Sequence, residues 1–464
     1  MEEIQFHSTV EASGKRRWLY PLVRKDKFYR YRSILGYTLL AFLFAAPLIR
    51  VNGHQFLLFN IIERKFVIFG QVFWPQDYFI FALAMLTGLV SIVLFTIAFG
   101  RVFCGWVCPQ TIFLEMVFRK IEIWIEGEPA ARKKLDEAEW TADKIRKKTL
   151  KHGLYIIISF VIANTFLSYI IGSNELWAII TAPPLEHIVG FISIWLFTLA
   201  FYLVFSKMRE LVCIVACPYG RLQGVLLDKN SLAVAYNYVR GEPRGRIRKQ
   251  DTDTDSKKGD CVDCNLCVAV CPTGIDIRKG TQLECVNCTQ CIDACNQVMD
   301  KINKPRNLIG YYSEEMIENH KKPTFTTRMK AYSLVIVVML SVLGYFVASQ
   351  KNVDAIVLRA GGMLYQEQEG GYISNLYNGE FINKTTNTVK VDLKGADDDM
   401  IVKWVQPIDS LEKESTKKGT FFLLIPKDKI KQAKNQVKLK VIENGEESYE
   451  IKTNFLGPIG KIKK

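Results

Sequence analysis

Histidine is scarce in this chain of 464 residues: there are five, His7, His54, His152, His187 and His320. None falls inside the long apolar runs described below. A haem held within a bilayer needs an axial ligand inside a span, so a membrane haem b is not expected. No glycine-rich fingerprint follows a strand and opens a helix, which argues against an intrinsic nicotinamide site and makes any electron donor an external one. No A-x-A-like cleavage site follows the first apolar run, so no removable signal peptide is expected.

What is abundant is apolar surface. Hydrophobic residues make up 49% of the chain and charged residues 23%, too apolar for one soluble fold and too charged for a wholly embedded one. The net charge of +14 would suit nucleic acid. The basic residues cluster beside apolar runs instead of forming one stripe, so they flank a membrane and no nucleic-acid partner is expected. Five runs reach the roughly 17 to 20 residues that cross a bilayer: Ile34–Val51, Tyr78–Phe99, Leu154–Ile171, Ile188–Phe205 and Ala331–Ala348. A buried amphipathic helix would show polar residues every few positions, whereas only Arg50, near the end of the first run, is charged. The stretch FLLFNIIERKFVIFGQVFWP is broken by Glu63, Arg64 and Lys65 and is expected to be interfacial or a hairpin.

Lys and Arg are dense before the first run, between the second and third (Arg119 to Lys151) and between the fourth and fifth. Positive residues stay cytoplasmic, so the N-terminus is expected inside, with spans two and four descending to the cytoplasm and span five exporting the tail. The expected order is a basic cytoplasmic segment (1–33), a transmembrane hairpin (34–99), a cytoplasmic loop (100–153), a second hairpin (154–206), a cytoplasmic region (207–330), a fifth helix (331–348) and an extracytoplasmic domain (349–464).

The external loops and the tail contain no cysteine in this topology, which argues against a disulfide framework. Eight of the twelve cysteines form two C-x2-C-x2-C-x3-C runs: Cys261, Cys264, Cys267 and Cys271, followed by Pro272, then Cys285, Cys288, Cys291 and Cys295, followed by Asn296. Three thiolates on a tight loop can occupy three corners of a cubane, while the fourth, on the next helical turn, serves the neighbouring cluster. One [4Fe-4S] cluster is therefore expected on Cys261, Cys264, Cys267 and Cys295, and a second on Cys285, Cys288, Cys291 and Cys271. Zinc fits the doubled order less well.

The other four cysteines lie in two copies of C-x3-C-P, Cys104 to Cys108-Pro109 and Cys213 to Cys217-Pro218, each just past a descending span. If the motif is helical, its thiols share one face at i and i+4; if proline starts a new helix, the second cysteine caps it. In the second case the helix dipole favours the thiolate. Soft thiolates select Cu(I). Three roles stand open: a copper site, a further iron–sulfur cluster built from both pairs, or thiols that only pack.

From about Asn352 the chain alternates in short segments, TVKVDL, IVKWV, TFFLLI and QVKLKVI, with Asn378-Gly379 and Asn444-Gly445 as expected hairpin turns. An immunoglobulin-like β-sandwich is predicted. Without a cysteine, histidine cluster or acidic pair that suggests catalysis, it is expected to dock or to support structure. The fold class is thus a polytopic α-helical membrane protein of five spans, with an inserted cytoplasmic two-[4Fe-4S] ferredoxin domain and a C-terminal β-sandwich.

The order of parts resembles the cytochrome c oxidase accessory proteins of the CcoG/FixG/RdxA family. The features that carry it are GRVFCGWVCPQT, ELVCIVACPYGRLQ, CVDCNLCVAVCP, CVNCTQCIDAC and, in the tail, ISNLYNGEFINKT. The resemblance implies a bacterial inner-membrane protein that reduces Cu(II) to Cu(I) for assembly of cbb3-type haem–copper oxidases. Its partners would be a cytoplasmic electron donor, copper transport and oxidase assembly factors and the lipid bilayer, with self-association left open. Electrons would then pass through two [4Fe-4S] clusters to copper at Cys104, Cys108, Cys213 and Cys217. Two other classes share parts of the pattern: an electron-relay subunit of the nitrate or nitrous oxide reductase type, and a non-enzymatic assembly scaffold.

Overall fold

The computed structural model describes residues 16–51, 53–61, 65–73, 78–246, 258–320, 326–349 and 351–458, apart from 363, 386, 398, 409, 414 and 431. His7 and the charged residues Glu63 and Arg64 lie outside the described residues. The chain divides into two compact units, one dominated by residues 74–343 and the other by the C-terminal β-structure from Gly344 onward.

The first expected span is helical as α1, Lys27–Ala45, which begins earlier and ends earlier than Ile34–Val51. Its start is fixed from elsewhere in the chain: the backbone N–H groups of Phe28 and Tyr29 donate to the Asp293 carboxylate at 3.2 and 2.7 Å. Its end comes at Pro47, which lacks an N–H and crowds the preceding turn; Arg50–Val51 is already extended. With Lys27, Arg30 and Arg32 in its opening turns, α1 is not among the four described helices long and apolar enough to cross a membrane. Those four are α2 (Tyr78–Phe99), α3 (Ala142–Ile171), α4 (Ile188–Leu203, prolonged by the π-helical turn Val204–Met208) and α5 (Thr327–Ala348). The helix α3 starts at its N-cap Thr141, well before the expected Leu154, and so takes His152 into the helix, where Nδ1 meets the Tyr202 hydroxyl at 3.1 Å.

Helices α3 and α4 pack together around Tyr155, Ile162, Phe118 and Phe205, with the last two rings stacked at 4.4 Å. Much of the remaining apolar surface faces outward: α5 buries only Met329. Uncovered apolar helix surface of this length requires lipid. The broken stretch after α1 folds as an antiparallel hairpin, β1 (Leu57–Asn60) with β2 (Lys65–Ile68).

The cysteine-rich segment is closed by two paired strands, β3 (Ala233–Tyr236) and β4 (Ile309–Tyr312), in antiparallel register from Ala233 opposite Tyr312. Between them run the one-turn helix Leu266–Ala269 and the longer helix Gln290–Lys301, over a core of Val234, Ile275, Ile277, Ile292, Met299 and Leu308. The first ends at Ala269, ahead of Cys271 and Pro272, whereas Asn296 lets the second continue beyond Cys295 to Lys301.

The C-terminal unit is a β-sandwich of antiparallel strands: β5 (Val353–Arg359), β6 (Gln366–Gln368), β7 (Tyr372–Asn383), β8 (Val391–Gly395), β9 (Ile401–Gln406), β10 (Thr416–Pro426), β11 (Lys434–Glu443) and β12 (Glu446–Leu456). One sheet runs β9-β10-β7-β5 with β6 also on β7, the other β8-β11-β12. Their inner faces share a core of Tyr377, Phe381, Phe421, Leu439, Val441 and Phe455. Asn444-Gly445 is the tight turn expected, with both residues at positive φ. Asn378-Gly379 is not a turn: both residues sit mid-strand in β7, opposite Thr420 and Gly419 of β10. Glycine is there for room, since a Cβ at 379 would lie 2.5 Å from the Phe381 ring.

Candidate electron-transfer site

Each run of four cysteines splits three to one between two cavities. Cys261, Cys264, Cys267 and Cys295 line one; Cys271, Cys285, Cys288 and Cys291 line the other, with Cys267 at the boundary between them. The loops that place them repeat one backbone device. Asp263 and Asn265 flank Cys264, and Asn287 and Thr289 flank Cys288, all four at positive φ. Asn tolerates this conformation and β-branched Thr does not, so Thr289 is held there by its surroundings. Turns of this kind aim successive N–H groups inward, where they suit an anionic centre.

Burial pushes the Cys267, Cys285 and Cys295 thiols up to about 12 and Cys288 to about 11, with Arg278 opposing the rise at Cys267 and Arg32 at Cys288. Thiolates this buried need a metal to take their charge. Among the described residues no three His, Cys, Asp or Glu side chains converge closely enough for a single metal ion. Four thiols spread around an apolar cavity fit a multi-iron cluster, which supplies one-electron chemistry when bound. Arg278, not singled out from the sequence, braces the first loop through Asp263 at 2.6 Å and Asn265 at 2.5 Å, and is itself held by Asp276 at 2.8 Å. Cys264 is exposed, while all four cysteines of the second cavity are partly or fully buried.

In both C-x3-C-P motifs proline starts a helix and the preceding cysteine caps it: Cys108 before Pro109–Ile112, Cys217 before Pro218–Leu226. The turn before each is over-wide, Cys108 N–H donating to Phe103 O at 2.9 Å and Cys217 N–H to Val212 O at 2.8 Å, both five residues back. The two motifs meet. Cys104 Sγ lies 3.4 Å from Gln223 Oε1 on the second motif's helix. Burial raises Cys104 to about 11 and Cys213 to about 12, and the Cys108 and Cys217 thiols stand close enough to both to add to the rise.

The first motif is also pressed onto the second cavity's loop. A Cβ at Gly105 would lie 2.4 Å from Val286 O, so glycine permits the contact. Trp106 Nε1 donates to Asn287 O at 3.2 Å, and Arg32 Nε donates to Gly105 O at 2.7 Å.

Beside the second motif lies a buried ion network that the sequence reading passed over. Glu122 receives Arg209 at 2.6 Å and Arg132 at 3.0 Å; Glu126 receives Lys148 and Lys151, each at 2.8 Å. Its signal in the sequence is the amphipathic RKIEIWIE of helix Arg119–Glu126.

Residues 81–128 match a 4Fe-4S binding domain family, 208–314 a 4Fe-4S dicluster domain family, and 343–458 the family described as the IG-like fold at the C-terminal of FixG. The chain is 36% identical to Protein RdxA of Cereibacter sphaeroides, over 70% of this chain and 69% of that one, and 34% identical to Protein RdxB of the same organism, over 81% of each. It belongs to the FixG/RdxA family. Nitrogen fixation protein FixG of Rhizobium meliloti is 39% identical over 64% of this chain, the match spanning 57% of FixG. As a FixG/RdxA member with matched iron–sulfur domains and apolar helices exposed to lipid, the protein is a membrane iron–sulfur electron-transfer protein.

Proposed function

We propose that this FixG/RdxA protein reduces Cu(II) to Cu(I) at Cys104, Cys108, Cys213 and Cys217, supplying copper for cbb3-type oxidase assembly in a bacterial inner membrane. The observation that carries the route is the packing of Gly105 and Trp106 on the Val286–Asn287 backbone, which puts the loop of the second cavity in direct contact with the first C-x3-C-P motif. Cys261, Cys264, Cys267 and Cys295 would hold one cluster, on the side where exposed Cys264 faces a cytoplasmic donor, and Cys271, Cys285, Cys288 and Cys291 a second, beside the first C-x3-C-P motif; when bound, the clusters would supply one-electron transfer toward the four thiols. Each electron turns one Cu(II) into Cu(I), and thiolate capture favours the reduced ion because Cu(II) prefers nitrogen and oxygen ligands.

A second reading has its own support. The 4Fe-4S family match over 81–128 contains Cys104 and Cys108 but none of the ferredoxin cysteines, and no three of the four thiols converge on a single-ion site. On that reading both pairs hold a third cluster and the protein relays electrons onward. Anaerobic Cu(II) reduction by the reduced protein separates the readings when wild type is compared with a variant carrying serine at all four positions. Copper reduction slowed at least about tenfold, a barrier rise of about 1.4 kcal/mol, with iron content unchanged, supports the copper site. Loss of a third cluster's iron in the variant supports the relay. Equal rates and equal iron would leave the four thiols as packing.

In the bilayer, α1 joins the four longer helices as the first of five crossings, with the N-terminus and ferredoxin domain cytoplasmic and the β-sandwich outside. The Asp293 bonds to the start of α1 support a common side for the N-terminus and the ferredoxin domain. A reporter fused to the C-terminus should be active only outside the cytoplasm; cytoplasmic activity would overturn the five-span order.

A further inference from the structure

Beneath the segment Trp18–Tyr20 lies a cavity of about 390 Å³ that no cysteine lines. That is within the range of about 300 to 1,000 Å³ of small-molecule sites and far more than the roughly 30 Å³ of one water. Its walls come from the first turns of α3, the end of α4 and the charged helices between α2 and α3.

The charge in these walls does not balance. Five cations line the cavity, the four of the ion network plus Lys207, against three carboxylates, Glu122, Glu126 and Asp136. Arg16 and Glu210, paired nearby at 3.0 Å, add one charge of each sign and leave the surplus of two in place. The carboxylates are already engaged: Glu122 and Glu126 by two cations each, Asp136 by Lys148 and the Tyr20 hydroxyl. Lys207 pairs with no carboxylate among the described residues. Two buried donors at the wall, Ser206 Oγ and Arg132 Nε, have no hydrogen-bond partner among the described residues. With Lys207 exposed at the rim and Arg132, Lys151 and Arg209 buried in the wall, cations in excess and unmatched donors around open volume favour an anion that completes them.

We infer that this cavity binds a phosphate-bearing anion, held by Arg132, Lys151, Lys207 and Ser206. The site lies where the apolar runs of α3 and α4 give way to basic residues, the level of lipid headgroups, so the phosphate comes from an anionic phospholipid or from solution.

The test uses the full-length, cluster-loaded protein in neutral detergent. Inorganic phosphate is titrated calorimetrically at constant ionic strength. In parallel, the protein is placed in phosphatidylcholine nanodiscs with or without phosphatidylglycerol, and retained lipid is read by native mass spectrometry. Two mild variants outside the paired network, Lys207→Gln and Ser206→Val, keep the fold question separate. Saturable single-site binding of either probe, weakened at least about tenfold in both variants as expected for the loss of a hydrogen bond to a charged group, supports the site. Phosphatidylglycerol alone identifies a membrane lipid as the source, and phosphate alone a soluble one. Binding of neither probe, or binding unchanged in both variants, overturns the inference.

Discussion

Alanine at Cys271 should remove the cluster of the second run, not of its own. Cys271 follows Cys267 by four residues, yet its side chain lines the cavity of Cys285, Cys288 and Cys291. The helix Leu266–Ala269 ends ahead of Pro272, and the chain turns there, carrying the fourth thiol away from the loop that holds the other three. Alanine leaves no ligand atom, so about half of the iron of a two-cluster protein should be lost. Cys295→Ala should do the reverse and empty the cavity of Cys261, Cys264 and Cys267. Low-temperature electron paramagnetic resonance of the reduced protein checks this. Wild type should show the broadened signal of two coupled clusters, and each variant the signal of one isolated cluster. The pairing predicts that Cys271→Ala matches Cys285→Ala, and that Cys295→Ala matches Cys261→Ala. If Cys271→Ala instead matches Cys261→Ala, the ligand exchange between the runs is wrong.

The three-to-one split of each cysteine run between two cavities was legible in the sequence, because the spacing sets three thiols on one tight loop and the fourth on the next turn. So was the sandwich, whose strand QVKLKVI alternates cleanly, while TFFLLI is a continuous apolar run that alternates only in burial. Asn378-Gly379 misled for a physical reason. The pair has the composition of a tight turn, but Phe381 needs the space a glycine leaves, a demand set by β10 and β5 on either side and therefore invisible in local sequence. The limit of α1 was written at Pro47, but its start was not, because Asp293, far away in the chain, supplies the cap. The choice between the two geometries of C-x3-C-P was open in the sequence. The docking of Gly105 on Val286 was not legible at all, since a glycine beside a cysteine carries no sign of the backbone that approaches it.

Replacing Glu122 with glutamine should destabilise the membrane unit by roughly 3 kcal/mol. The side chain is 3% exposed and is held between two guanidiniums that are themselves almost wholly buried. Burial alone would raise its pKa, but Arg209, with Lys151 and Arg119, brings it down to about 2 from an ordinary 4.5. A carboxylate depressed in the folded state adds stability that is fully present above the unfolded value and is lost as pH falls from about 4.5 through about 2. At roughly 1.4 kcal/mol per unit the contribution is about 3 kcal/mol near neutrality, in line with the roughly 3 to 5 kcal/mol of breaking a buried pair from one side. The loss should therefore be constant between pH 6 and 8, where the carboxylate stays ionised. Glutamine keeps the shape, strips Arg132 of its ion-pair partner and, among the described residues, leaves Arg209 only Glu210, at 3.5 Å. Removing Arg132 as well should relieve part of that cost, so Glu122→Gln with Arg132→Met should cost less than the sum of the two single changes. Thermal unfolding of the detergent-solubilised protein reads all four corners of this cycle. Strict additivity, or a Glu122→Gln penalty under about 1 kcal/mol, would mean that water reaches the network and screens it.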